Sequence, residues 1–126
     1  IYKKKLLALI VKSSFKKDGI EFFTPNDFSQ QVGYMKRPSG YEIMPHSHNE
    51  VPRNVSFTQE VLFIKSGKVR VDFYDDFHNY LESCILLKAD IVLLAFGGHG
   101  FQMLEDSEII EVKQGPYIEE NDKEKF

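Results

Sequence analysis

His46 and His48 stand one residue apart, and Glu60 follows at the head of an apolar run that stops at Gly67. Side chains alternate across an extended strand, so the two histidines are expected to project to one face. Two imidazoles and a carboxylate on one side of a sheet suit a divalent transition metal and leave positions open for water or substrate. These donor types fit iron, manganese, nickel or zinc and do not choose among them. No thiolate is near, which disfavours copper(I). Such an ion would act as a Lewis acid on a carbonyl or hydroxyl, or activate oxygen if it were iron. The competing reading is a pair of surface histidines on an edge strand.

Positioning such groups takes a rigid scaffold, and the chain reads as strands throughout. The opening IYKKKLLALIVK imitates a signal peptide, with lysines leading into an apolar run from Leu6 to Val11, but that run is short and no small-residue cleavage site follows. A first, buried strand over Lys5 to Lys12 is the better reading. Further strands are expected over Ile20–Phe23, Gln30–Arg37, Tyr41–His48, Glu60–Lys65, Lys68–Tyr74, Tyr80–Leu87, Ile91–Phe96, His99–Leu104 and Glu108–Lys113. The turns Ser66-Gly67, Asp75-Asp76 and Lys88-Ala89-Asp90 are short enough for antiparallel hairpins. Asn49 to Thr58 is polar, carries Pro52 and Arg53, and is expected to form a loop at the mouth of the scaffold. A short helical stretch is expected only around Asn26 to Gln31.

Composition sets the bounds. The 126 residues make one domain with a real core, and 42% hydrophobic with 28% charged content is that of a globular protein. Eleven Phe and many β-branched residues favour sheet. Many short strands at regular spacing mean a sandwich or a barrel, so the fold class is all-β. A net charge of -3 without a basic aromatic face argues against nucleic acid. No stretch is long and apolar enough to span a bilayer, which argues against a membrane partner. The lone cysteine, Cys84, reads as a small packed side chain in a reducing, cytoplasmic setting. If Glu60 points inward, Leu62 and Ile64 follow it, and Val61 and Phe63 form an outward apolar pair. That pair must be covered by the N-terminal strand or by a second subunit in a homodimer.

With these residues in view the chain resembles a cupin. Gly40, His46 and His48 match the first half of the first cupin signature, and Glu60 and Gly67 match the second half. The gap from His48 to Glu60 is longer than the pattern, as a loop insertion would make it. Glu50 is a rival acid, but Glu60 opens the strand and keeps the spacing to Gly67. The second signature is followed by Ala89 to Gly97, with Ala89 and Ala95 in place of Gly and Pro, and His99 stands one residue before the expected histidine. The resemblance implies a single cupin domain over 1–126, an antiparallel β-barrel of jelly-roll type with its core at about 31–113 and a charged tail at 117–126. It implies a metal site of His46, His48, Glu60 and His99. The pairing of TQEVLFIKSGKVRVDFYDD with GGHGFQMLED and EVKQGPY is also similar to small bacterial cupins associated with surface-polysaccharide biosynthesis.

Substrate contacts are expected from Tyr34 and Lys36, which share a strand face, and from Arg53 in the long loop. The two cations would suit a carboxylate or phosphate. His78, beside Asp75, Asp76 and Asn79, reads as a solvated turn residue. The functional expectation is a metal-dependent isomerase, epimerase or oxygenase acting on a small polar, carbohydrate-derived or anionic metabolite. The alternative is a binding or sensing module without turnover, since no general acid or base stands out beyond the metal ligands.

Overall fold

A computed structural model describes residues 1–118 and 124–126, so the charged tail expected over 117–126 falls partly outside the described residues. Among the described residues nine strands form: β1 (Ala8–Val11), β2 (Gly19–Phe22), β3 (Gly33–Lys36), β4 (Glu60–Ser66), β5 (Lys68–Tyr74), β6 (Tyr80–Leu87), β7 (Ile91–Leu94), β8 (Gly98–Met103) and β9 (Glu108–Lys113). The described residues contain no helix. The fold is all-β, as expected. All pairings are antiparallel, in a four-stranded sheet of order β1-β7-β4-β9, a three-stranded sheet of order β6-β5-β8, and the hairpin β2-β3.

The core forms where the inner faces of the two larger sheets meet. In β5 the sequence KVRVDFY alternates, and its period of two puts Val69, Val71 and Phe73 inside while Arg70, Asp72 and Tyr74 face out. Leu62 and Ile64 from β4, Val92 and Leu94 from β7 and Leu86 from β6 complete the buried cluster, with Cys84, Phe101 and Ile109 packed against it. The inward set expected on β4 is therefore the buried one. Its outward partners Val61 and Phe63 are half-buried. β1 does not lie over that face, because it extends the same sheet at the edge of β7. Leu9 and Val11 of β1 line a small cleft of about 340 Å³ with Phe15 and Phe23.

Turn chemistry fixes the hairpins. Gly67 joins β4 to β5 at φ +93°, and a Cβ there would lie 2.7 Å from Ser107 Cα, so both conformation and space demand glycine. Ala89, which stands where the cupin pattern has glycine, adopts φ +69° in the β6–β7 turn. It carries the strain of a left-handed residue that glycine would not.

Three expectations need correction. The sheets do not close into a barrel. The strand expected over Tyr41–His48 does not form, and the chain from residue 37 to residue 59 has no strand at all, so a closing element is missing. Pro38, Pro45 and Pro52 fall in this stretch and each removes a ladder donor. Residues 37–58 are exposed throughout. Nor is Asn26–Gln31 helical. There the Gln31 side chain donates to the carbonyls of Pro25 and Phe28, at 2.9 and 2.8 Å, and accepts from Thr24 Oγ1 at 2.7 Å. A side-chain amide thus satisfies carbonyls that a helix would have used.

Candidate functional site

Glu60 is the first residue of β4, and its neighbours in register are Leu94 of β7 and Lys113 of β9. His99 is the second residue of β8, opposite Phe73 of β5. The two side chains therefore come from different sheets and meet at one end of the core. His99 Nε2 lies 2.9 Å from Glu60 Oε1. Both are largely enclosed, the Glu60 side chain more so than that of His99. They stand in a cleft of about 1330 Å³ whose wall also includes Lys5, Phe96, Phe101, Glu111 and Lys113.

The environment holds Glu60 as an anion. Its pKa falls from 4.5 to about 2, chiefly through the hydrogen bond from His99. Burial opposes this. A hydrogen bond with Glu111 and the positive charges of His99 and Lys113 add to the lowering. Lys113 Nζ also lies 3.8 Å from Glu111 Oε1. Lys5 caps the Phe96 ring at 4.0 Å, and Phe57 meets that ring edge-on at 5.6 Å. The result is a carboxylate–imidazole pair with ammonium groups, further carboxylates and aromatic walls around it, suited to moving a proton and to holding a polar ligand.

The remaining expected donors lie elsewhere. His46 and His48 sit on the exposed 37–58 segment with ring centroids 5.3 Å apart, and His46 Nδ1 is 2.8 Å from the Met44 carbonyl. Neither lines the cleft. Among the described residues no group of three or more His, Cys, Asp or Glu side chains is arranged to hold a metal ion. As placed, the four donors are two separate pairs, and they do not fit one ion. Glu50, the rival acid, is exposed on the same segment as the histidines.

The three expected substrate contacts do not line the cleft either. Tyr34 of β3 packs edge-on against Phe15 at 4.9 Å, and Lys36 pairs with Asp18 at 3.2 Å. Both belong to the hairpin β2-β3, which is not hydrogen-bonded into either large sheet. Arg53 is exposed and reaches the Val51 carbonyl at 3.5 Å. Among the described residues the lysines of the cleft wall are Lys5, Lys113 and Lys125, and Asp75, Asp76, Glu111 and Glu124 line it as well. Lys113 was legible in principle: it shares the parity of Ile109 and Glu111 on β9, which sets it on the inner face.

Comparison with protein-family models, with curated proteins and with solved structures gave no match. No helix among the described residues is long and apolar enough to cross a membrane.

Proposed function

We propose that the cleft headed by Glu60 and His99 binds a small, anionic, carbohydrate-derived metabolite, and that this pair acts on it by proton transfer of the isomerase or epimerase type. The observation that carries the reading is the 2.9 Å carboxylate–imidazole contact at the end of the core, inside a cleft with Lys5 and Lys113 in its wall. The ionised Glu60 carboxylate orients the His99 imidazole, and the imidazole takes up and returns the proton. Capture without turnover is the non-catalytic form of the same reading. A thermal-shift screen of sugar phosphates, uronic acids and hydroxy acids, followed by product analysis of the hits, tests both. Hits are expected to raise the melting temperature of wild type and not of Glu60→Gln. No hit across these classes would sink the reading, and hits without product would leave the binding form.

A second reading is a metal-dependent cupin, including the oxygenase type. It is favoured by one observation: each half of the four-donor set is assembled by itself, His46 beside His48 and Glu60 beside His99. Closing the barrel and joining the halves both require the 37–59 segment to move onto the cleft. Positive φ at Gly40, Gly67, Ala89 and Gly97 supports the register by which the cupin pattern is laid on the chain. Metal content of protein purified without chelating resin is expected to be lost equally in His46→Ala/His48→Ala and in Glu60→Gln/His99→Ala. Retention in either double variant would exclude a shared ion.

The oligomer proposed with either reading is a homodimer, because Ile110 and Val112 on the edge strand β9 are 52% and 55% exposed on the face that carries Val61 and Phe63. Light scattering after size exclusion is expected to give twice the chain mass, falling to one mass for Ile110→Glu/Val112→Lys. A wild-type monomer would remove the dimer.

A further inference from the structure

Glu60 opens β4 directly after the 37–58 segment, which is exposed throughout and belongs to no sheet. The first residue of a strand normally frays with the chain that leads into it. Between the segment and Glu60 stands Gln59, a polar residue that is only 7% exposed. A buried amide side chain needs partners built around it.

Those partners come from a loop distant in sequence. Gln59 Oε1 accepts from the backbone N–H of Gln30 at 3.1 Å and from Ser29 Oγ at 3.3 Å. Gln30 Nε2 donates in turn to Gln114 Oε1 at 3.0 Å. Gln114 N–H donates to the Gln59 carbonyl at 2.9 Å, which carries the β4–β9 ladder one step past the pair Glu60 and Lys113. Gln30 thus clamps both strands where they leave the sheet. The loop that presents it is braced as well, because Thr24 Oγ1 accepts Val32 N–H at 3.2 Å and Gln31 holds the Pro25 and Phe28 carbonyls.

Side chains alternate along a strand, so Gln59 and Gln114 continue the outward row of Val61 and Val112. Glu60, Glu111 and Lys113 point the other way, into the cleft. The clamp therefore acts on the site through the backbone of β4 and β9. We propose that Gln59 and Gln30 are positioning residues: by fixing the start of β4 they hold the Glu60 carboxylate on His99 Nε2 and isolate it from the exposed segment. The functional meaning rests on Glu60 and His99 being the working pair; the hydrogen bonds of the clamp do not.

Amide hydrogen exchange and long-range nitrogen–proton spectra of the imidazoles, on the full chain at mildly alkaline pH, test this. Gln59→Met keeps the volume and removes the acceptor. It is expected to speed exchange at the Gln114 amide about tenfold relative to Val71 in the core of β5, as the loss of one buried hydrogen bond would. His99, whose Nε2 faces Glu60 at 2.9 Å, is expected to carry its proton there in wild type and to become a mixture of tautomers in the variant. Gln30→Met, which removes only the bond to Gln114, is expected to show both changes in smaller measure, and it carries the test if Gln59→Met does not fold. A fold destabilised as a whole would speed Val71 and Gln114 together and leave the tautomer as it was. That result overturns the proposal, as does unchanged exchange at Gln114. A wild-type Gln114 amide exchanging as fast as those of the 37–58 segment overturns it with no variant at all. No ligand enters the measurement, so a screen without hits leaves the clamp standing, and unchanged signals leave the ligand reading standing.

Discussion

Asp90→Ala is expected to lower the stability of the domain by about 2 kcal/mol, a sizeable part of what a domain of this size has. The Asp90 side chain is 3% exposed and joins two parts of the chain that are distant in sequence. It accepts from the backbone N–H of Ser13, just beyond β1, and of Leu87, at the end of β6, each at 2.8 Å. Lys12 Nζ lies 3.4 Å away. Its own carbonyl receives Ile64 N–H of β4 at 3.0 Å. Alanine would remove the acceptor of two part-buried N–H groups and the carboxylate paired with Lys12 together, and each donor then costs as much of its desolvation as water cannot restore. Asn in its place keeps one acceptor but turns an amide N–H₂ toward a donor, so about half the loss is expected. Burial alone would raise the Asp90 pKa; the Leu87 and Ser13 N–H groups and Lys12 outweigh it, and the net shift is downward. This carboxylate therefore stabilises the fold above the ordinary Asp range and ceases to do so as pH falls through its lowered value. Urea unfolding at neutral pH decides the matter: a loss under about 1 kcal/mol for Asp90→Ala would mean that Ser13 and Leu87 find other partners.

How far the sequence could be read follows from what each feature depends on. Period-two patterning is local, so β5 and the inward set Leu62 and Ile64 could be read from KVRVDFY and EVLFIKS alone. The glycine turn at Gly67 was readable for the same reason. Asp90 was not, because its partner Ser13 is 77 residues away and nothing in Lys88-Ala89-Asp90 signals that a carboxylate will cap the end of β1. The site divides along the same line. Glu60 and His99 head strands that the core draws together, and their meeting follows from strand register. His46 and His48 were placed by assuming an extended strand, and three prolines with local hydrogen bonding leave their segment outside both sheets. Tyr34 and Lys36 share a strand, but that strand pairs only with β2, away from the cleft. Parity tells which residues share a face; it does not tell which sheet the face belongs to.

Glu60→Gln is expected to have the second large effect, and its sign depends on pH. In the folded chain Glu60 titrates near 2 rather than 4.5, first because His99 hydrogen-bonds to its ionised form. A carboxyl with a depressed folded pKa contributes stability that is fully present above its unfolded value. That contribution drains away as pH falls from about 4.5 to about 2. The displacement corresponds to up to about 3 kcal/mol, with partial exposure of His99 reducing it. The informative quantity is the difference between wild type and Glu60→Gln. It is expected to be largest at neutral pH and to shrink toward zero at pH 2, because protonated Glu and Gln are then close equivalents beside His99. Asp72, Asp75 and Asp90 also have lowered pKa values and titrate in both proteins, so they cancel in that difference. His99→Ala is expected to show the same pH dependence, and the double variant to show no further loss, since the two residues act as one pair. Additive losses at neutral pH would mean that the 2.9 Å contact is not what holds Glu60 ionised. If instead the variants keep their stability but lose the ligand-induced rise in melting temperature, the pair serves the cleft rather than the fold. In that case the imidazole and carboxylate are matched to a ligand, as a proton-transfer site requires.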